Sequence, residues 1–295
     1  IVNLPSGVLP AQTFTVGNTY VGNNTIVSAL SKVTGANVEL RNIRFANGVR
    51  RDGNFVGLMI ESCEINGKTG VEVNGGSGVT IRKCFFTNCS MTTWLADVSD
   101  LLIQNNEIAN CGYGFKSFSD NLSTKNWLAQ LNYVHDCGPD FMAFEWQGRC
   151  VGWSIADNLV ENLRYGPTLE NNDHSLLISA PMAKSVGPGI VRGNAVLGKK
   201  PKGPNYPDAW INGAPALLEI GGSDTIVEEN LLQGGGVGIT VTDRDGPCSV
   251  ILKNNRVIDV WNVWNKNAPT QTVALVGFNG EGTLGWKLAG LRLRV

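Results

Sequence analysis

Residues Leu101 to Cys111 read LLIQNNEIANC, and the spacing of residue types in this stretch decides the fold. With Ile103 as the reference, an apolar residue lies two positions before it, a small polar residue three after, a second apolar residue five after, and a turn former seven after. The same pattern surrounds nine reference residues, namely Leu40, Ile60, Ile81, Ile103, Ala129, Ile155, Val191, Val227 and Leu252. Such regular self-similarity indicates a repeat protein in which each copy folds as one structural unit.

The third position after each reference has the most uniform composition. In the last six copies it is Asn106, Asn132, Asn158, Asn194, Asn230 and Asn255, and Cys63 and Cys84 hold it in two earlier copies. Apolar residues alternate on either side, which predicts two short strands in each copy. Because Asn tolerates the left-handed backbone conformation, we expect this residue itself to make the sharp turn between the strands. Stacked copies would then form an Asn ladder, with side-chain amides hydrogen-bonded from turn to turn.

The repeat length indicates a solenoid. Most references lie 20 to 26 residues apart, and a unit of that length cannot bury its apolar face without stacking on its neighbours. We therefore predict an all-β fold, a right-handed single-stranded parallel β-helix of about 9–11 turns with inserted loops in the later turns. The predicted organisation is an N-terminal strand and capping turn in residues 1–36, the β-helix in 37–276, and a C-terminal strand or edge segment in 277–295.

Composition excludes several classes of protein. The formal net charge of −1 and the lack of a basic stripe argue against a nucleic-acid partner. The sequence contains no run of about 18 apolar residues, so it predicts no membrane span. Five of the seven cysteines fall on repeat positions, so we expect packed, reduced thiols rather than disulfides, and no spacing of Cys and His suggests zinc.

A third strand lies between the turn former of one copy and the next copy. Its outward residues should stack in a column about 4.8 Å apart. The predicted column contains Glu72, Trp94, Lys116, a member between Met142 and Glu145, and then Glu219 and Thr240. An aromatic ring offers a stacking surface for a sugar, and charged side chains offer hydrogen bonds along an extended chain. The competing interpretation is a solvated β-face with one Trp.

Inserted segments flank this strand. They are residues 161–174, 180–188 and 199–215, and loops longer than about 12 residues in a compact domain are usually functional. We expect them to wall a groove, although solvated insertions or subunit contacts would give the same spacing. Charged residues at the predicted rim are Asp140, Glu145, Asp173, His174, Lys184, Asp208, Asp243 and Arg244. His174 is a candidate general base because its ordinary pKa is near neutrality, although a plain hydrogen-bonding role fits it equally.

The apolar strand pairs, the Asn ladder and the stacked cysteines resemble the pectin-lyase-like right-handed parallel β-helix superfamily over residues 38–276. This resemblance implies polysaccharide lyases, glycoside hydrolases, sugar epimerases or phage tailspikes, with a groove along the sheet that the third strands form. The NTD, DD and GHG set of polygalacturonases and the DPHD motif of alginate epimerases are missing. The GFKS segment at 114–117 is similar to the Lys-Ser segment of alginate and chondroitin lyases, where the Lys is the base, but no Arg lies in register one turn on.

Two functions stay open. The first is a polysaccharide depolymerase, a lyase or glycoside hydrolase. Hydrolysis would use Glu145 with Asp173 or Asp140. Elimination would use Lys116 or His174 as the base, with Ca²⁺ as the cofactor that neutralises a uronate carboxylate. The predicted substrate-binding residues are Glu72, Trp94, Asp140, Lys184, Trp210, Glu219, Asp243 and Arg244.

The second function is a non-catalytic glycan-binding or structural module, such as a spike or adhesin of a phage or cell surface. Both functions predict a polysaccharide partner and an extracellular or virion-associated location. A phage tailspike would in addition be a homotrimer.

Overall fold

A computed structural model describes residues 1–119, 121, 124–138, 143–162, 178–179, 188–198, 216–220, 224–233, 237–242, 248–258, 276–279, 284–289 and 292–293. All regular secondary structure in these residues is β-strand. Two turns precede the first repeat. They contain β1 (Val2–Asn3), β2 (Gly7–Leu9), β3 (Thr13–Phe14), β4 (Thr19–Val27) and β5 (Ser31–Val33).

Each of the nine repeats forms one turn with three strand segments. The first and second segments share β6 (Val38–Phe45) in the first repeat, and β7 (Val49–Asp52) is its third segment. The next two repeats contain β8 (Val56–Glu61) and β9 (Glu64–Asn74), then β10 (Ser77–Arg82) and β11 (Phe85–Ala96). In these two turns one long strand bends to supply both the second and the third segment.

The later repeats have three separate strands each. The strands are β12 (Ser99–Gln104), β13 (Glu107–Ala109), β14 (Phe115–Ser119), β15 (Lys125–Gln130), β16 (Tyr133–His135), β17 (Phe144–Gly148), β18 (Val151–Ala156), β19 (Leu159–Glu161), β20 (Ile178–Ser179), β21 (Gly189–Arg192), β22 (Ala195–Leu197) and β23 (Ala216–Ile220). They continue with β24 (Thr225–Glu228), β25 (Leu231–Gln233), β26 (Val237–Thr242), β27 (Cys248–Lys253), β28 (Arg256–Ile258) and β29 (Val276–Asn279). A further turn begins with β30 (Leu284–Ala289) and β31 (Arg292–Leu293).

Equivalent strands of successive turns pair in parallel and in register. Ile60 pairs with Ile81, Ile81 with Ile103, and Ile103 with Ala129. All nine reference residues are buried, as are the nine apolar residues five positions later. The core is therefore one continuous column of stacked apolar side chains. The predicted all-β parallel solenoid is confirmed.

The Asn ladder is confirmed along the edge of the core. Asn106 Nδ2 donates to Asn132 Oδ1 at 2.9 Å, and Asn132 Nδ2 donates to Asn158 Oδ1 at 2.9 Å. The same oxygens accept the backbone N–H of the preceding ladder residue, at 3.0 Å for Asn106 and 2.9 Å for Asn132. The ladder therefore satisfies buried main-chain donors at the corners as well as its own amides.

The expectation that the ladder Asn adopts the left-handed conformation is wrong. The residue before it does so instead, as at Asn105, Leu131 and Asp157, with φ of 53°, 56° and 55°. A reversal one residue earlier leaves the following side chain pointing into the core, where its amide reaches the next turn. Several residues seven after the reference do adopt this conformation, as Asn88 and Asn110 show, whereas in the first repeat Gly48 adopts it in place of Asn47.

Six cysteines have described side chains, and all six are free and buried. Cys63 Sγ donates to Leu40 O at 3.6 Å, and burial raises the pKa of the Cys150 thiol to about 12. The predicted reduced state therefore holds for these six, and the side chain of Cys248 lies outside the described part of the chain.

The boundaries drawn at residues 36 and 276 stay predictions. No helix in the described part is long and apolar enough to span a membrane.

Candidate functional site

The outward column on the third-strand sheet follows the predicted register. Glu72 pairs with Trp94, Trp94 with Lys116, and Lys116 with Glu145. The backbone pairing continues this register through Ser179, Glu219 and Thr240. The sequence left the member between Met142 and Glu145 undecided, and the pairing assigns it to Glu145. The neighbours of Lys116 and Glu145 along their strands are buried, so these two charged side chains lie on the outer face.

Among the column members whose burial the structure describes, Glu145 is the most enclosed. It is only 2 % exposed although it is charged and lies on the outer side of the sheet. Lys116 Nζ lies 2.8 Å from Glu145 Oε2, and Gln147 Nε2 donates to Glu145 Oε1. Gln147 therefore supplies a hydrogen bond to Oε1, whereas Lys116 pairs with Oε2 by charge and Oε2 accepts no hydrogen bond from the described residues. A carboxylate held by one hydrogen bond and one ion pair has reduced freedom to rotate, which is a condition that a catalytic or binding group requires.

The Lys116 ammonium lies between two aromatic rings. Its Nζ is 5.5 Å from the centroid of Trp94 and 5.4 Å from the centroid of Tyr113, both within the range of cation–π attraction. Trp94 is therefore not a free stacking surface, because one of its faces is turned to the ammonium. It is still partly exposed and can contact a ligand with its edge or its open face.

A second charged group lies one turn before Glu72. Arg50 Nε is 2.8 Å from Asp52 Oδ2, and Arg50 Nη1 is 3.5 Å from Glu72 Oε1. Asn74 Nδ2 also donates to Asp52 Oδ1 at 2.8 Å. The hydrogen bonds from Arg50 and Asn74 hold the pKa of Asp52 below its usual value. The column is thus extended by an Arg whose charge is already matched by two carboxylates.

Sequence reasoning missed Gln147, Tyr113 and Arg50. Gln147 lies two residues after Glu145 on one strand, so the two-residue period of a strand was a usable signal. Arg50 lies in VRRD, which is the third strand of the first repeat and was not assigned. Tyr113 precedes β14 in the corner, where no periodic pattern marks it.

Glu219 lies two strands beyond Glu145 in the same column and is 7 % exposed. Two strand spacings separate the corresponding backbone positions by about 10 Å. The other predicted site residues lie outside the described part of the chain. They are Asp140, Asp173, His174, Lys184, Trp210, Asp243 and Arg244, together with Asp208 at the rim. The roles assigned to all of these residues stay predictions.

His135 lies on a different sheet, in β16. Its Nδ1 is 2.8 Å from Asp136 Oδ2, its Nε2 is 3.2 Å from Glu107 Oε1, and its ring stacks on Tyr133 at 4.3 Å. Burial lowers the pKa of His135, but the hydrogen bonds to the two carboxylates outweigh that effect and the pKa is raised. The contacts link adjacent turns, which fits a structural histidine. No group of three or more His, Cys, Asp or Glu side chains in the described residues is arranged to hold a metal ion.

The stacked parallel strands, with one sheet face that carries charged and aromatic residues, define a β-solenoid with a polar outer surface on its third-strand sheet. The family profile described as "Right handed beta helix region" matches residues 15–180, so the chain belongs to the right-handed beta helix family. The predicted resemblance to the right-handed parallel β-helix superfamily is confirmed. Comparison with curated protein sequences gave no significant match.

One solved structure similar to this chain is the crystal structure of an alginate lyase from Paenibacillus sp. str. FPU-7. The sequence identity is 12 %, and the alignment covers 92 % of this chain and 91 % of that one with a TM-score of 0.31. At that level of similarity the comparison gives no information about the reaction of this protein.

Proposed function

We propose that this protein binds an extended polysaccharide along the outer face of the third-strand sheet and cleaves it by hydrolysis. The observation that carries the proposal is the Glu145 carboxylate, buried on that face and held by Lys116 and Gln147. A charged group that is desolvated at some cost, and that lies beside aromatic and polar side chains, is typical of a functional site rather than of a solvated β-face.

The contacts of Lys116 favour hydrolysis over elimination. A lysine that abstracts a proton must first lose its own. Lys116 Nζ lies 2.8 Å from Glu145 Oε2 and faces two aromatic rings, so this nitrogen is already engaged by groups of the protein. Lys116 therefore fits a positioning role better than the role of a base. Glu145, the buried partner of this lysine, is the group that we propose as the proton acceptor.

Hydrolysis needs a second carboxyl group. The backbone positions of Glu145 and Glu219 lie about 10 Å apart in the same column. The carboxyl groups of inverting glycosidases lie about 6.5–9.5 Å apart, so this proposal requires the two side chains to lean toward each other. In this arrangement Glu145 takes a proton from the water that attacks the anomeric carbon, and Glu219 gives a proton to the departing oxygen. One water is consumed for each bond cleaved. Asp140 and Asp173 are the other proposed partners of Glu145.

A panel of bacterial, algal and plant polysaccharides tests the reaction. New reducing ends without absorbance near 235 nm are expected, because elimination would create an unsaturated product that absorbs there. Glu145→Gln should abolish the release of reducing ends. Glu61→Gln is the matched control, since Glu61 is also buried and ion-paired, 3.0 Å from Arg82, but lies on the first-strand sheet. A Glu145→Gln variant that keeps the wild-type rate would refute the assignment.

Other outcomes of the panel point to the alternatives. Absorbance at 235 nm would identify a lyase, with His174 as the proposed base and Ca²⁺ as the proposed cofactor. Glycan binding with no new ends would identify a non-catalytic spike or adhesin module. A polysaccharide ligand also leads us to propose an extracellular or virion-associated location. The homotrimer proposed for a phage tailspike is tested by light scattering after gel filtration.

A further inference from the structure

We propose that the glycan bound on the third-strand sheet is neutral between Glu72 and Glu219, with no carboxylate or sulfate group on the sugars that occupy this part of the face. The inference rests on the proposed glycan function and adds the charge class of the ligand. The charges already present on the face, and the way in which they are matched, support it.

Within the described part of this face, the two cations nearest to the proposed sugar positions, Arg50 and Lys116, are already engaged by carboxylates. Arg50 contacts both Asp52 and Glu72, at 2.8 and 3.5 Å, and Lys116 contacts Glu145 at 2.8 Å. The charge of Arg50 is matched by two nearby carboxylates, so it offers an acidic sugar little net attraction, and an acidic sugar could pair with Lys116 only by displacing a carboxylate from it. For Lys116 that carboxylate is buried and is also bound by Gln147, so displacement would leave it without a counter-charge.

Carboxylates also outnumber cations among the side chains of this face that the structure describes. Among its described side chains the cations are Lys32, Arg50 and Lys116, and the carboxylates are Asp52, Glu72, Glu145 and Glu219. Lys32 is exposed at the end of the column, one strand before Arg50, and its charge contributes to the lowered pKa of Asp52. A sugar carboxylate placed between Glu72 and Glu219 would lie within about two strand spacings, or 10 Å, of a fixed negative charge.

Neutral sugars suit the same groups. Sugar hydroxyls can donate to the carboxylates of Glu72 and Glu219 and accept from the amide of Gln147, and these contacts leave the Lys116–Glu145 ion pair intact. Hydrogen bonds with a charged partner are stronger than those between neutral groups. The open part of the Trp94 ring adds an apolar contact for a sugar ring. The face therefore favours a ligand that brings hydroxyl groups and no charge.

Matched pairs of polysaccharides test the charge class. Alginate, pectate and other acidic glycans are compared with their carboxyl-reduced forms, in which carbodiimide and borohydride convert each carboxylate to a hydroxymethyl group while linkages stay intact. Neutral polysaccharides complete the panel. Affinity electrophoresis should show retardation by at least one neutral or reduced form, with an apparent Kd at least about tenfold lower than that of its acidic counterpart. Retardation should change little between 20 and 500 mM NaCl, because little of the binding would come from exposed charges.

A charge-removing variant tests the cause of the selectivity. Glu72→Gln removes one fixed carboxylate and should reduce the ratio of the apparent Kd for the acidic form to that for the neutral form several-fold. Glu64→Gln is the control, because Glu64 is paired with Arg44 at 3.0 Å on the outer side of another sheet and should leave the ratio unchanged.

Failures of the two proposals are distinguishable. Equal or stronger retardation by acidic forms would overturn the charge class, whatever the cleavage results are. Lack of retardation by every neutral and reduced form would also overturn it. Binding of neutral forms without new reducing ends would overturn hydrolysis and leave the charge class standing.

Discussion

Replacing Lys116 by methionine removes the cation that lies against the buried Glu145 carboxylate. Methionine keeps an unbranched chain of similar length, so the contacts with Trp94 and Tyr113 lose charge rather than volume. Glu145 then stays buried with Gln147 as its described partner. We expect a large loss of stability because an ionised carboxylate would have to remain desolvated or take up a proton.

The size of this loss follows from the geometry. At 2.8 Å and an effective dielectric constant of about 20, the gross attraction between the two charges is about 6 kcal/mol. Removing one member of a buried ion pair costs about 3–5 kcal/mol, and the Lys116 side chain is 18 % exposed, so we expect about 3 kcal/mol. The double variant Lys116→Met/Glu145→Gln leaves no buried charge at the pair. It should therefore lose only about 1 kcal/mol.

Urea unfolding followed by tryptophan fluorescence and circular dichroism measures these values. Lys83→Met is the matched control, because Lys83 Nζ lies 3.3 Å from Glu61 but its side chain is 59 % exposed. Such a surface pair should contribute at most about 1 kcal/mol. If Lys116→Met costs no more than Lys83→Met, or if the single losses at Lys116 and Glu145 simply add in the double variant, the buried ion pair does not contribute as argued.

Three further predictions concern other parts of the molecule. Asn158→Ala removes the acceptor of the Asn132 backbone N–H and should lower the free energy of unfolding in urea by about 3 kcal/mol. Asn158→Cys should lower it less because Cys63 and Cys84 hold equivalent positions. An equal loss in the two variants would contradict the ladder argument. The pKa of His135 is raised on folding, so its contribution to stability is complete below about pH 6.5 and disappears as the pH rises through the folded pKa. The difference in Tm between wild type and His135→Gln should therefore shrink as the pH rises over that range. A Tm difference that grows with pH would contradict this sign. Gln147→Leu should lower kcat about tenfold or more with little change in KM, and Gln147→Glu should also shift the pH profile; changes confined to Tm would indicate a structural role only.

Several features could be predicted from the sequence because each repeat residue contacts the same position in the next turn. The offsets from Ile103 predicted the buried columns, the Asn ladder and the parallel register. They also located Glu72, Trp94 and Lys116 on one outward line. These conclusions depend only on stacking, which repeats along the chain.

The left-handed residue at the corner could not be assigned in the same way. Asn105 and Asn106 are both suited to a turn, and the choice depends on which side chain must reach the core. Only the three-dimensional position of the ladder amide, within hydrogen-bond distance of Asn132, decides it.

The sequence by itself determined the solenoid, its register and the sheet face on which to look for a site. Tertiary structure decided the chemistry of that face. Lys116 and Glu145 lie 29 residues apart, compared with 22 between Trp94 and Lys116, so an insertion hides their register in the sequence. Side-chain directions and the exclusion of water decide whether the two side chains meet, bury each other and receive the hydrogen bond from Gln147. Neither property repeats from one turn to the next.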